Sequence, residues 1–467
     1  MLAEVESVLG AEKTELGLEL GRRINPTPRE PRIVIQGGQP LKGNIYVGGS
    51  KNATLALMAG AVLASRGQTQ LTRAPRISDI ANMAIILRGV GIKVSFSDNQ
   101  QNILFDATNI MSFEPDDQLV TKMRGSLQLL GPILARMGKV RLAPPGGCNI
   151  GARAYDLHIK GLIALGATID ENQGYIFAEA PAGGLRGAQV YLDKPSVGAT
   201  MNILMAASLA HGTTIIENAA QEPDVEDLGN LINEMGGKVT GHGTGLITVE
   251  GVTELHGVRY QVSPDRIEGG TLAMAAAITG GDLFLEGANA SHMRPILMKL
   301  AEMGIIVEEA PEGVRIKHPG KRLNATDVTA MPHPGFPTDL QQPIAVLLSL
   351  AEGTAMVTDT VYEGRFRYLA ELLKMGAKAR WEGRTAVVTG VKGLSGADVE
   401  ASDLRAGAAM VLAGLAAQGT TRVFSVHHID RGYERLTQKL SAVGASIWRE
   451  DEFGTRVDEF GKRVEVV

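Results

Sequence analysis

The hydrophobic and polar positions of this chain repeat one pattern six times. A helical stretch ends in a Leu/Met-rich turn and a glycine at Gly91, Gly166, Gly236, Gly304, Gly376 and Gly444, as in Leu162-Ile163-Ala164-Leu165-Gly166 and Leu372-Leu373-Lys374-Met375-Gly376. The interval between these glycines is about 70 residues. Glycine readily closes a helix in the left-handed conformation, so each one predicts a helix end. Short extended runs follow; Lys238-Val239-Thr240 and Leu246-Ile247-Thr248-Val249 predict a β-hairpin behind the helix that stops at Gly236. A second series, Gly67, Gly138, Gly212, Gly281, Gly353 and Gly419, closes Ala/Leu/Met-rich stretches, each followed by another β-rich run such as Thr213-Thr214-Ile215-Ile216-Glu217.

The repeating unit is therefore an apolar helix, a strand, an amphipathic helix and further strands, and each copy needs its neighbours to bury its faces. The stretch from Thr200 to His211 is hydrophobic almost all round, which predicts an interior helix. The stretch from Val225 to Met235 carries Glu226, Asp227, Asn230, Asn233 and Glu234 on one side, which predicts a helix facing solvent. Six such units in an α/β chain give two similar lobes of three units with a cleft between them.

Polar residues fall at equivalent places in this repeat. The starts of the six apolar helices carry Lys51-Asn52, Arg124, Ser196-Val197-Gly198, Arg266, Asp339 and Arg405. A helix N-terminus already presents unpaired N–H groups and the positive end of the dipole. Four basic residues at such positions point to a shared anionic ligand.

Composition narrows the classes. The chain has 467 residues, 44% of them hydrophobic, and a formal net charge of -5, values that fit a large globular protein of at least two domains. Its mildly acidic balance gives no basic face for nucleic acid. The longest apolar runs, such as Ala53 to Ala64, fall short of the roughly 20 residues of a membrane span. Glu4, Glu6, Glu12 and Glu15 at the start do not resemble a secretory leader, and a single cysteine excludes an intramolecular disulfide framework; both favour a cytoplasmic location. That cysteine, Cys148, lies in the Gly/Pro-rich stretch Pro144-Pro145-Gly146-Gly147-Cys148-Asn149-Ile150-Gly151, five residues before Arg153. A free cysteine ordinarily fills a core, but a loop with a nearby cation is where a thiol becomes reactive. His427-His428 lacks further ligands at metal spacing, so no metal is expected.

Nine strings extend these features in one order: Gly49-Ser50-Lys51-Asn52-Ala53, Lys122-Met123-Arg124-Gly125-Ser126, Pro145 to Arg153, Asp156-Leu157-His158, Ser196-Val197-Gly198-Ala199-Thr200, Phe336-Pro337-Thr338-Asp339, Glu363-Gly364-Arg365-Phe366, Asp403-Leu404-Arg405-Ala406 and His428 to Arg435. From about Ile33 to Arg449 the chain resembles the enolpyruvyl transferases that act on UDP-N-acetylglucosamine. The resemblance implies an α/β fold, the two-domain inside-out α/β barrel of six repeats, three per domain. It divides the chain into an N-terminal extension and linker (1–31), a nucleotide-sugar-side domain with the Cys148 loop (51–263), a second domain (32–50 plus 264–449) and a polar tail (450–467).

The implied reaction moves the enolpyruvyl group of phosphoenolpyruvate to the 3-hydroxyl of the sugar and releases phosphate, the first committed step of peptidoglycan synthesis, without a cofactor. Carried over residue by residue, Lys51, Arg153 and Arg431 correspond to holders of the phosphoenolpyruvate phosphate, and Arg365 and Arg405 to those facing its carboxylate. Asn52, Arg124, Ala154, Tyr155, Asp156, Leu157, Ser196, Val197, Gly198 and Val361 correspond to nucleotide-sugar contacts. Asp339 corresponds to the carboxylate beside the reacting hydroxyl and is the candidate base, although an Asp after Pro337-Thr338 could also simply cap a helix. Cys148, with Lys51, is the candidate acid, or acts in product release; a thiol near those cations would react with an epoxide such as fosfomycin. Ala154, Tyr362 and Gln128 depart from the family pattern without removing a charged group. Other readings are a relative with a UMP-like or shikimate 3-phosphate acceptor, and a silent nucleotide-sugar sensor.

Overall fold

A computed structural model describes residues 31–97, 101–144, 146, 155–172, 174–458 and 461–464. All six glycines of the first series take φ between 91° and 105°, the left-handed region that lets each helix turn directly into a strand. In the second series Gly67, Gly138, Gly212, Gly353 and Gly419 also have positive φ, but at the fourth position the turn falls on Gly280. Gly281 serves closeness instead: a Cβ there would sit 2.4 Å from the Leu41 carbonyl oxygen.

The complete unit is a βαβαββ run. Gln189–Tyr191 pairs parallel with Thr213–Glu217, which pairs antiparallel with Leu246–Glu250, and Lys238–Thr240 closes the hairpin. The same order recurs in the sheet of Val328–Ala330, Thr354–Asp359, Thr385–Thr389 and Lys378–Glu382. Two sheets are completed from far along the chain. Arg32–Gln36 inserts antiparallel between Thr420–Phe424 and Ser446–Glu450, and Arg259–Gln261 joins Thr69–Thr72 in parallel. One hydrophobic core collects residues between Ile33 and Val47 and between Ile267 and Ile447; a second collects Ala53 to Val262.

The chain crosses between these cores twice, and the crossings lie side by side. Gly49 bridges Pro264, the Ser50 N–H donates to the Ser263 carbonyl at 2.7 Å, and the Asp265 N–H donates to the Gly48 carbonyl at 2.9 Å. Past Glu450 the tail folds back, with Arg456–Val457 extending the Ser446–Glu450 edge.

The interior helices are as the pattern predicts: in Val197–Ala207 every residue from Ala199 onward is buried. The second helix of that unit, Pro223–Glu234, exposes Glu226 and Glu234 as the pattern predicts, but Asp227 of the same side turns inward. It packs on Lys51–Gly60, where Leu228 and Leu231 close over Gly60, and Asp224 and Asp227 are buried. The reason is the double crossing. Asp224 accepts from Ser50 Oγ at 2.9 Å, and Asp227 accepts from Ser263 Oγ at 2.7 Å and from the Tyr260 hydroxyl at 3.1 Å. The acidic side chains hold the connections between the cores.

Burial pushes the Asp227 carboxyl up to about 6. The folded state then holds its proton more tightly than the unfolded chain, so the contribution to stability is full at low pH and is lost as pH rises through the folded value. Asp227→Asn should therefore gain on wild type by about 2 kcal/mol in unfolding free energy between about pH 4 and about pH 7. Parallel urea melts of the two proteins would measure it, and a difference that does not change with pH would refute a buried, titrating Asp227.

Candidate active site

The six helix starts are N-terminal in the structure, and local chemistry explains each. Ser50, Ser196, Asp265 and Asp403 cap their helices by accepting from backbone N–H groups, which leaves Lys51, Val197, Arg266 and Leu404-Arg405 in the first turn. Arg124 opens a 3-10 turn, Arg124–Leu129, that runs into Leu130–Met137, and Asp339 lies in Thr338–Leu340 before Gln341–Leu348.

Two buried carboxylates organise the cations. Asp79, in the first turn of Ser78–Gly89, lies 2.7 Å from Lys51 Nζ through Oδ2 and accepts from Arg431 Nε at 3.0 Å through Oδ1. Lys51 and Asp79 flank the core of residues 53–262, whereas Arg431 comes from the other side of the junction, so this triad spans it. Burial alone would push the Asp79 carboxyl up, but Lys51 and Arg431 hold it below the usual carboxylate range. Lys51 is lowered, first by burial and then by Arg405 and Arg431, with Asp79 opposing.

Asp339 forms the second centre. Its Oδ1 accepts from Arg365 Nη1 at 2.7 Å, and its Oδ2 accepts from Arg405 Nε at 3.0 Å and lies 2.9 Å from Arg405 Nη2. No helix cap uses its side chain, so the capping alternative gives way to ion pairing. Against the upward push of burial, Arg405 and Arg365 hold its carboxyl well below the usual range. Asp359 fixes the segments on either side: it accepts from Thr338 Oγ1 at 2.6 Å and from the N–H groups of Val361 and Tyr362 at 2.9 Å each. The Tyr362 ring lies 4.8 Å from the Arg365 guanidinium.

A third group lies near the start of Val197–Ala207. His158, in Asp156–Ala164, meets Asn202 Nδ2 through Nδ1 at 2.8 Å, and Asn202 also binds the Leu127 carbonyl and the Gly131 N–H. Burial, with Arg124 near, lowers His158 to about 3, so the ring is neutral and Nδ1 accepts. A Cβ on Gly198 would lie 2.9 Å from this ring, which accounts for glycine there. Tyr155, Asp156 and Leu157 thus lie beside Ser196, Val197 and Gly198, with Arg124 close by. Leu55 packs on Gly125 and ties this group to the helix of Lys51 and Asn52.

Arg266 departs from the expectation of a shared anion. Its charge faces Glu222 and Asp224 of the protein itself. Asp79 and Asp359 were not singled out in the sequence; their signal is only a carboxylate at a helix or loop start. Cys148, Arg153 and Ala154 lie outside the described residues. Among the described residues, no group of three His, Cys, Asp or Glu is placed to hold a metal, and no helix is long and apolar enough to cross a membrane.

Known proteins fit this architecture. Residues 35–440 match the family profile of EPSP synthase (3-phosphoshikimate 1-carboxyvinyltransferase). Proteins named UDP-N-acetylglucosamine 1-carboxyvinyltransferase 1 from Halalkalibacterium halodurans and Staphylococcus epidermidis are each 48% identical over 418 residues, covering 90% of this chain and 94% and 99% of theirs. The crystal structure of the enolpyruvyl transferase NikO from Streptomyces tendae superposes with a TM-score of 0.82 at 27% identity, covering 90% of this chain and 99% of that one. An EPSP synthase from Acinetobacter baumannii, at 20% identity, a TM-score of 0.68 and coverage of 90% of this chain and 100% of that one, shares the fold. A match over most of the chain, relatives at 48% identity and the common architecture together establish that this protein belongs to the enolpyruvyl transferase family.

Proposed function

We propose that the protein transfers the enolpyruvyl group of phosphoenolpyruvate to the 3-hydroxyl of UDP-N-acetylglucosamine and releases inorganic phosphate, a cytoplasmic step toward peptidoglycan. The observation that carries the reading is the convergence of Lys51, Arg365, Arg405 and Arg431 around Asp79 and Asp339 at the junction of the two cores. In this reading Arg153 joins these four cations, and a positive site suits a substrate that carries both a phosphate and a carboxylate.

In this reading Lys51, Arg153 and Arg431 hold the phosphate, and Arg365 and Arg405 the carboxylate. Arg124, Ser196, Val197 and Gly198 take the diphosphate, Ala154, Tyr155, Asp156 and Leu157 the uridine, and Asn52, Asp339 and Val361 the sugar. Asp339 accepts the proton of the 3-hydroxyl as its oxygen bonds to C2 of the enol, while C3 takes a proton from Cys148 or Lys51. The tetrahedral adduct then returns a C3 proton to the group that protonated it and expels phosphate, which regenerates the double bond. No atom changes oxidation state overall, so the chemistry calls for no redox cofactor. Closing the junction would exclude water from the adduct.

Phosphate release from phosphoenolpyruvate tests this directly, with UDP-N-acetylglucosamine, shikimate 3-phosphate and UMP offered as acceptors. Release is expected with the first alone; release only with another would reassign the acceptor, and none with any would support the silent sensor. Fosfomycin is expected to add its mass to Cys148, faster when the nucleotide sugar is present. An unmodified thiol would remove Cys148 from the cationic site.

A further inference from the structure

We propose that Asp339 is an internal stand-in for the substrate carboxylate: it occupies the fork between Arg365 and Arg405, and the nucleotide sugar opens that fork by drawing Asp339 onto its 3-hydroxyl. This deepens the function proposed above and rests on it. The geometry of the pair of arginines is the starting point. Each guanidinium gives Asp339 one oxygen's worth of contact, at 2.7 Å for Arg365 and 2.9 to 3.0 Å for Arg405. Neither guanidinium is fully used, because Arg365 Nε and Arg405 Nη1 are buried without a hydrogen-bond partner among the described residues. A planar carboxylate seated squarely on the two forks would use more of these donors than Asp339 does.

The three side chains are not equally free to move. Asp339 retains 22% side-chain exposure, against 6% for Arg365 and 3% for Arg405. Arg365 Nη1 also donates to Thr338 Oγ1 at 3.0 Å, and Arg405 lies 5.3 Å from the ring of buried Tyr433. The carboxylate is the member open to an incoming ligand, and the arginines are the buried receptor. Two carboxylates cannot share this fork without like-charge repulsion, so phosphoenolpyruvate and Asp339 compete for it. Pairing also makes Asp339 a poor base, since the arginines hold its carboxyl well below the usual range. Leaving the fork both clears the site for the second substrate and restores the proton affinity that deprotonation of the hydroxyl requires. The nucleotide sugar and the enol substrate should consequently bind with positive coupling, by the same factor in either order.

Phospholactate, the saturated analogue that cannot accept the hydroxyl, measures this without turnover. In wild type, UDP-N-acetylglucosamine should tighten phospholactate binding about tenfold or more, whereas UDP, which lacks the sugar hydroxyl, should leave it unchanged within about twofold. Asp339→Asn should bind phospholactate about tenfold tighter than wild type with no nucleotide present, and the nucleotide sugar should add little. Equal coupling from UDP and UDP-N-acetylglucosamine would overturn the proposal in wild type alone, whether or not the variant folds. Unaltered or weaker phospholactate binding by a folded Asp339→Asn protein would overturn it too. If wild type also releases phosphate with UDP-N-acetylglucosamine, only the stand-in role fails; if it does not, the functional reading fails with it.

Discussion

Asp339→Asn is expected to lower turnover with UDP-N-acetylglucosamine and phosphoenolpyruvate by about a thousandfold or more, while nucleotide-sugar affinity stays within about threefold. The asymmetry follows from what the substitution changes. Asparagine keeps the shape and one acceptor oxygen, so the sugar hydroxyl can still be oriented, but the amide cannot take the proton. The loss should appear in the chemical step, seen as a collapse of kcat in phosphate-release assays beside an unchanged dissociation constant for the nucleotide sugar. The variant also leaves Arg365 and Arg405 without their counter-charge in a site where both are buried. Anionic ligands should therefore raise its melting temperature more than they raise that of wild type. Turnover near the wild-type rate would exclude Asp339 as the base.

The repeat and the polar helix starts were legible in the sequence because their determinants are local. A glycine at a helix end and a Ser or Asp cap one residue before the first turn act within a few residues of themselves, so Gly91 through Gly444 and Ser50, Ser196, Asp265 and Asp403 could be read in one dimension. Gly281 shows where that stops: it is glycine because of the carbonyl of Leu41, which sequence spacing does not reveal. Asp79 was hidden for the same reason. At the start of an amphipathic helix it looks like any acidic residue complementing the dipole, and its partner Arg431 is 352 residues away. Asp227 reads as the polar face of a helix until the double crossing is in view. Sequence periodicity assigns side chains to faces, but whether a face meets solvent or a second polar surface is decided by tertiary packing.

Asp79→Ala should destabilise the protein by about 3 to 5 kcal/mol in low-salt, phosphate-free buffer. The side chains of Lys51 and Asp79 are 8% and 5% exposed, and that of Arg431 19%, so removal of the carboxylate takes the counter-charge from Lys51, which water reaches poorly, and a contact from Arg431. Simple loss of the contacts would cost far less; most of the expected effect is the solvation that buried Lys51 cannot recover. That origin supplies two further outcomes. Asp79→Ala combined with Lys51→Met should regain more than half of the lost stability, because the stranded charge is gone. Millimolar phosphate or phosphoenolpyruvate should stabilise the single variant more than wild type, since an anion between Lys51 and Arg431 replaces the missing carboxylate. Because Arg431 reaches Asp79 from across the junction, the variant should also raise KM for phosphoenolpyruvate more than it lowers kcat, and Asp79→Glu should restore part of both. Urea melts within about 1 kcal/mol of wild type in phosphate-free buffer would show that Lys51 and Arg431 escape to solvent, and that Asp79 does not hold the two sides of the site together.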